Sequence, residues 1–128
     1  MKNIILVLTG GALGSLARYT VSELTSKYLL GFFPYGTLLV NLAGCLLIGI
    51  LCGAWGEGNV PNTARLFLII GMIGGFTTFS AYAFESFNLF KIGLVKIALF
   101  NILANNLIGI LLVFLGFYLG QGLLKIIN

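Results

Sequence analysis

Histidine and aspartate are absent from this 128-residue chain, and only 8% of its residues are charged. Without them no Ser-His-Asp or Cys-His arrangement can be assembled, nor a metal site built on histidine or aspartate. A glycine loop ending in lysine that would cradle phosphate is also missing. Enzyme chemistry is therefore not expected. The two cysteines, Cys45 and Cys52, fall in one apolar run. On a helix they would stand roughly 10 Å apart, too far for a disulfide, and they read as small packing residues. The two prolines, Pro34 and Pro61, lie in short stretches, 31–36 and 56–61, that carry turn chemistry. Nothing remains to form a soluble domain.

Uncharged length is what the chain has in abundance. Its charges are Lys2, Arg18, Glu23, Lys27, Glu57, Arg65, Glu85, Lys91, Lys96 and Lys125. The runs 28–56, 66–84 and 97–124 between them are each long enough for a helix crossing of about 20 residues. The first run, 3–17, is shorter and spans only if Arg18 is drawn into the helix and the helix continues past Ser22. A cleaved secretory signal is the alternative for that run, since Lys2 precedes it; removal would leave three spans. The expectation is an all-α membrane protein, a single domain over residues 1–128 with spans at about 4–24, 37–55, 66–90 and 94–119. The net charge of +4 is scattered over helix ends, which suits interfacial anchoring and not nucleic acid binding.

With four spans, the termini and the second loop share one side of the membrane, holding Lys2, Arg65 and Lys125. The other side holds Lys27, Lys91 and Lys96, with Arg18 near it. The positive-inside bias is close to zero. Either the chain inserts both ways and assembles as an antiparallel pair, or a one-residue bias fixes one orientation. Four short helices are too few to enclose a pore, so oligomerisation is expected. Every span carries a small-xxx-small pair, Gly10/Gly14, Gly49/Gly53, Gly71/Gly75 and Gly116/Gly120, which predicts close helix contacts.

The stretch Gly74 to Ser80, Gly-Gly-Phe-Thr-Thr-Phe-Ser, lies inside the third uncharged run. Adjacent glycines there predict a helix broken near its middle, and non-helical backbone at membrane depth is tolerated only where protein or water satisfies it. Phe76, Phe79 and Tyr82 recur every three residues and would point one way from a helix starting after the glycines; ordinary packing is the alternative. Uncharged polar residues dot the spans, among them Asn41, Thr77, Thr78, Ser80, Asn101, Asn105 and Asn106. Asn41 is costly in hydrocarbon unless it faces a polar track or bonds another helix. Asn101 and Asn105 would share one face. Hydroxyl and carboxamide donors suit an anion, and phenyl rings offer it their positive edges. At membrane depth the only ionisable candidates are Arg18, near one end of its span, and Glu85, in the second half of the third, a poor endowment for a proton-coupled carrier.

Three pieces in order, Gly10-Gly-Ala-Leu-Gly-Ser-Leu-Ala-Arg-Tyr19, Gly36-Thr-Leu-Leu-Val-Asn-Leu-Ala-Gly44 and Gly71-Met-Ile-Gly-Gly-Phe-Thr-Thr-Phe-Ser80, with Gly109 and Gly116 behind them, resemble the Fluc fluoride channels, also called CrcB, over essentially the full length. The resemblance implies an antiparallel dual-topology dimer in the cell inner (plasma) membrane, passing fluoride out of the cytoplasm by passive electrodiffusion. It implies a structural sodium ion at the dimer centre, held by backbone carbonyls of Gly74 and Thr77 from both subunits. By motif position Asn41 matches the pore asparagine, Phe79 the first pore phenylalanine, Arg18 the arginine of the first span and Glu85 a conserved acidic residue. Ser80, Thr78 and Asn105 join Asn41, Phe79, Tyr82 and Arg18 as expected fluoride-facing residues. The chain departs from the family pattern in having Tyr82 at the second pore phenylalanine, Ala81 where a threonine is usual, and Asn101 and Asn105 in the fourth span. Some family members act only as heterodimers of divergent partners, so a homodimer and such a pairing both stand. A small dual-topology exporter of cationic drugs would share the four spans but needs a carboxylate where this chain has Arg18. A non-transporting membrane assembly subunit would use Asn41 and the glycines only for packing.

Overall fold

The computed structural model describes residues 1–56 and 59–127; Glu57 and Gly58, within the stretch 56–61 expected to turn, and Asn128 lie outside the described residues. The described residues form helices without a strand: α1 (Lys2–Tyr28), α2 (Tyr35–Trp55), α3 (62–76), α4 (Phe79–Lys91) and α5 (95–127). The segments Lys2–Tyr28, Tyr35–Trp55, Asn62–Lys91 and Val95–Leu123 are each long and apolar enough to cross a membrane. The chain is thus a four-span, multi-pass membrane protein whose third span is broken into α3 and α4. Its first helix does continue through Arg18, and at 27 residues it is about 40 Å long, longer than the roughly 30 Å hydrocarbon core. Its last turns, with Glu23 and Lys27, therefore reach toward the headgroups, where Lys27 suits the negative end of the helix dipole.

Lipid gives helices no hydrophobic reason to associate, so backbone approach must do it. The four glycine pairs interlock two by two. A Cβ on Gly10 or Gly14 of α1 would run into the backbone oxygen of Phe67 or Met72 on α3, and one on Gly75 would meet Gly11 O at 2.7 Å. On the opposite side, Gly49 and Gly53 of α2 face the backbone of Val113 and Phe117 on α5, while Gly116 and Gly120 face Leu46 and Ile50. Hence α1 pairs with α3, and α2 with α5. Cys45 and Cys52 are both free thiols on α2.

At the α4–α5 corner the chain turns through Gly93 at φ 83°. Leu94 N–H donates to Leu89 O at 2.9 Å and Gly93 N–H to Phe90 O at 3.0 Å, a Schellman closure that needs a residue at ease with positive φ. The helices are also locally widened into π geometry at Arg65–Ile73 in α3 and at Ala104–Ile108 in α5. Such segments often accompany functional sites. The one in α5 carries Asn105 and Asn106 at the level of the break.

Candidate pore at the helix break

The glycines are not where the helix breaks. Gly74–Phe76 remain helical, and the interruption is Thr77 (φ −85°, ψ 158°) and Thr78 (φ −151°, ψ 118°), both extended. Gly71 and Gly75 serve instead as the flat surface against α1. Thr78 starts the next helix: its Oγ1 accepts from Ala81 N–H at 3.2 Å, the bond an N-cap threonine makes to the third residue of a helix. The expected alignment of three aromatics is corrected accordingly. Phe76 belongs to α3 and lies with Leu13, Ala17 and Leu47, on the other side of the break from Phe79 and Tyr82. The latter two rings meet edge to face, centroids 5.2 Å apart at 70°.

The extended backbone is held by a relay of carboxamides. Thr78 N–H donates to Asn41 Oδ1 at 2.8 Å, and Asn41 Nδ2 donates back to Thr78 O at 3.1 Å. Asn41 thus supplies both bonds that a helix would have given that residue. Its second N–H goes to Asn105 Oδ1 at 2.9 Å. Asn105 Nδ2 in turn donates to the carbonyl and Oδ1 of Asn101, both at 3.0 Å. Asn101, fully buried, donates to Ser86 Oγ at 2.9 Å, and Ser86 donates to Tyr82 O at 2.8 Å. Each buried amide is satisfied, which removes a penalty of about 1–3 kcal/mol per orphaned group. The carboxamide donors of Asn41 and Asn105 are therefore engaged within the chain, and an anion reaching them must displace a partner.

Two helix ends face the break. The C-terminal end of α3 presents carbonyls; Thr78 N–H, which would have closed on Gly74 O in a continuous helix, is bonded to Asn41 instead. Arg18 Nη1 donates to Thr77 O at 3.4 Å, so the guanidinium stands beside the carbonyl end. The N-terminal end of α4 presents first-turn amides and the positive end of its dipole. Thr78 Oγ1 and Ser80 Oγ lie 3.3 Å apart there. Phe79 is 76% exposed and Ser80 is exposed. A cavity of about 300 Å³ runs inward from this surface, lined by Asn41, Thr78, Phe79, Tyr82, Asn105 and Asn106 among others. Arg18 does not line it.

A family model described as "CrcB-like protein, Camphor Resistance (CrcB)" matches residues 5–117. The chain belongs to the CrcB family. Among curated relatives of this CrcB chain, a protein of Dehalococcoides mccartyi is 47% identical over 123 residues, covering 94% of each chain. One from Parabacteroides distasonis is 40% identical over 128 residues and 100% of each chain, and one from Thermus thermophilus is 43% identical over 123 residues, 96% of this chain and 98% of its own. All three carry the name "Fluoride-specific ion channel FluC".

Two polar residues of this CrcB chain, Thr37 and Ser86, escaped the sequence reading of the site. Thr37 Oγ1 donates to Glu85 Oε1 at 2.6 Å, and Glu85 Oε2 is buried without a partner among the described residues. Both line a second cavity of about 270 Å³ with Ser22, Thr25 and Ser26. Asn106 was named in that reading only among the polar residues of the spans. The signal was present as polar residues four apart on one face: Thr37/Asn41, Tyr82/Ser86 and Asn101/Asn105.

Proposed function

We propose that this chain is a fluoride-selective channel that lets fluoride leave the cytoplasm across the inner membrane by passive electrodiffusion, limiting its toxicity. The observation that carries the reading is 40–47% identity, over nearly the whole chain, to relatives named as fluoride-specific channels. The geometry is suited to it. Fluoride is small and strongly hydrated, so a selective path must replace its water with donors. Thr78, Ser80 and the first-turn amides of α4 offer donors beside the ring edges of Phe79 and Tyr82. Asn41 and Asn105 lend theirs by exchange with the relay. Several weak sites in series allow the ion to leave as readily as it arrives. Arg18 biases the region toward anions.

A second copy completes this site. The Phe79 ring stands on the molecular surface and the cavity behind it opens outward, so a single chain in lipid would expose polar groups to hydrocarbon. The partner is an antiparallel copy, since the cationic charges are nearly balanced between the two sides. A homodimer is the simplest assembly; a divergent homologue as partner is the variant of it that Tyr82 and the α5 asparagines leave open. The carbonyls of Gly74, freed from its helical partner, and of Thr77, which also accepts from Arg18 at 3.4 Å, are hard oxygen donors at the negative end of α3 that would hold a structural sodium ion at the dimer centre, two copies supplying four. Such an ion would neutralise the converging helix ends.

The test is fluoride efflux from liposomes holding the purified protein alone, followed by a fluoride electrode and repeated with chloride. Rapid, potential-driven release of fluoride with negligible chloride is expected. A folded, dimer-sized protein that releases neither ion fails the homomeric reading; release restored by a co-expressed homologue points to a heterodimer, and none at all to a non-transporting subunit.

A further inference from the structure

Tyr82 carries a hydroxyl at a membrane-depth position where a bare ring would complete the aromatic pair with Phe79. Tyr82 is 8% exposed, and its ring lines the cavity behind Phe79. A phenol oxygen there needs a polar partner. Asn106 Nδ2 supplies it at 2.9 Å. The direction of that bond is fixed by a third group. The same Nδ2 lies 2.8 Å from the carbonyl of Ile102, and a carbonyl oxygen only accepts. The amide atom between them must therefore be the nitrogen, with one N–H for Ile102 and one for Tyr82. The phenol oxygen is the acceptor in its bond to Asn106, so its own proton takes no part in it. Among the described residues the phenol donates no hydrogen bond of its own.

We propose that the Tyr82 phenol donates its O–H proton to the permeating anion, and that Asn106 is the residue that positions it. The inference rests on the fluoride-channel reading and names a donor within it. A phenol proton lies in the ring plane, at one of two places. The Asn106 N–H claims the lone pair on one side and leaves the proton the other. A phenol is a stronger donor than an aliphatic hydroxyl, because the ring draws charge from its oxygen, and a hydroxyl that accepts a bond is polarised to donate more strongly. The neighbouring carboxamides Asn41 and Asn105 have their N–H groups engaged, so the phenol is a donor in this cavity that need not break a protein bond first. The π-widened turn Ala104–Ile108 lets consecutive asparagines serve both sides, Asn105 facing Asn41 and Asn106 facing Tyr82. A short O–H contact rewards a compact anion of high charge density more than a larger one. The pair thus favours fluoride over chloride.

Two readouts test this on the full-length protein in detergent and in liposomes. Titration with sodium fluoride, followed by near-UV tyrosine difference absorbance, is expected to give a saturable red shift that sodium chloride does not give and Tyr82→Phe abolishes. In efflux, Tyr82→Phe is expected to raise the fluoride concentration for half-maximal flux about tenfold, the loss of one hydrogen bond to a charged group. Asn106→Leu should move it in the same direction, and the double variant should be no worse than Tyr82→Phe. An absent spectral shift in the wild type, or a Tyr82→Phe channel with unaltered half-saturation, overturns the proposal. If Tyr82→Phe fails to fold, Asn106→Leu decides alone, and unaltered half-saturation there overturns it equally. A fluoride-specific shift in a protein that carries no flux, alone or with a co-expressed homologue, leaves the phenol donor standing and removes the channel reading.

Discussion

Asn41 and Phe79 line one cavity but are held by different forces, and their replacement separates stability from conduction. Asn41 bonds both backbone groups of Thr78 and the carboxamide of Asn105. Asn41→Ala orphans those groups in a low-dielectric interior, a cost of about 1–3 kcal/mol, so a clear fall in the thermal unfolding midpoint in detergent is expected together with loss of flux. Phe79, 76% exposed on the single chain, makes no side-chain hydrogen bond and meets only the Tyr82 ring, so in the proposed channel its part is to shape the path. Phe79→Ile is expected to cut fluoride efflux strongly at an unchanged midpoint and dimer size. Unchanged flux removes Phe79 from the path; an unchanged midpoint for Asn41→Ala removes Asn41 from the frame of the break. The sequence made both residues conspicuous, because a carboxamide amid leucine and valine is expensive and a phenylalanine after two threonines is placed beside polar backbone. It did not reveal that the Asn41 donors are engaged. That depends on α5 bringing Asn105 alongside, a contact 64 residues away in the chain.

At the scale of helices, glycine spacing was the most legible signal and its pairing the least. Pairs four apart announce that helices touch, but not which helix faces which. The structure resolves them as α1 on α3 and α2 on α5. The break shows the same limit. Glycine is the obvious interrupter in water, yet a membrane helix gains more from using it for close approach, and the interruption falls on the two threonines, one of which caps the following helix. The π segments left no trace in residue spacing because they change the period for only a turn or two. A contrast between two glycines of α5 tests the packing argument. A Cβ on Gly116 meets the backbone oxygen of Leu46, whereas one on Gly122 meets nothing within 4 Å. Gly116→Leu is expected to destabilise by about 1–3 kcal/mol or more, read as a lowered unfolding midpoint in detergent, with Gly122→Leu close to wild type. Equal midpoints for the two variants remove backbone contact as the source of the α2–α5 association.

For the whole molecule, orientation turns on very few charges. Lys2, Arg65 and Lys125 stand on one side against Lys27, Lys91 and Lys96, with Arg18 near the second. The proposed antiparallel dimer of one gene product needs both orientations in one membrane, which a near-zero bias would provide. Asn59 and Thr63 are exposed beside Arg65, so lysines there add to the first side without touching the site. In cells, a carboxy-terminal reporter on the wild type should be found on both sides of the membrane, and on one side only in the Asn59→Lys, Thr63→Lys variant. That variant alone should lose dimer and fluoride efflux. Leu30 and Ile92, 88% and 58% exposed, belong to the opposite loops. A Leu30→Lys, Ile92→Lys chain should insert the other way, be equally inactive alone, and restore flux when produced with the first. The rescue distinguishes orientation from damage, because two damaged chains do not repair each other whereas two oppositely inserted ones make one antiparallel pair. Full efflux from either biased chain by itself would mean that a parallel pair, or one chain, suffices to carry fluoride, and the antiparallel assembly would have to be given up.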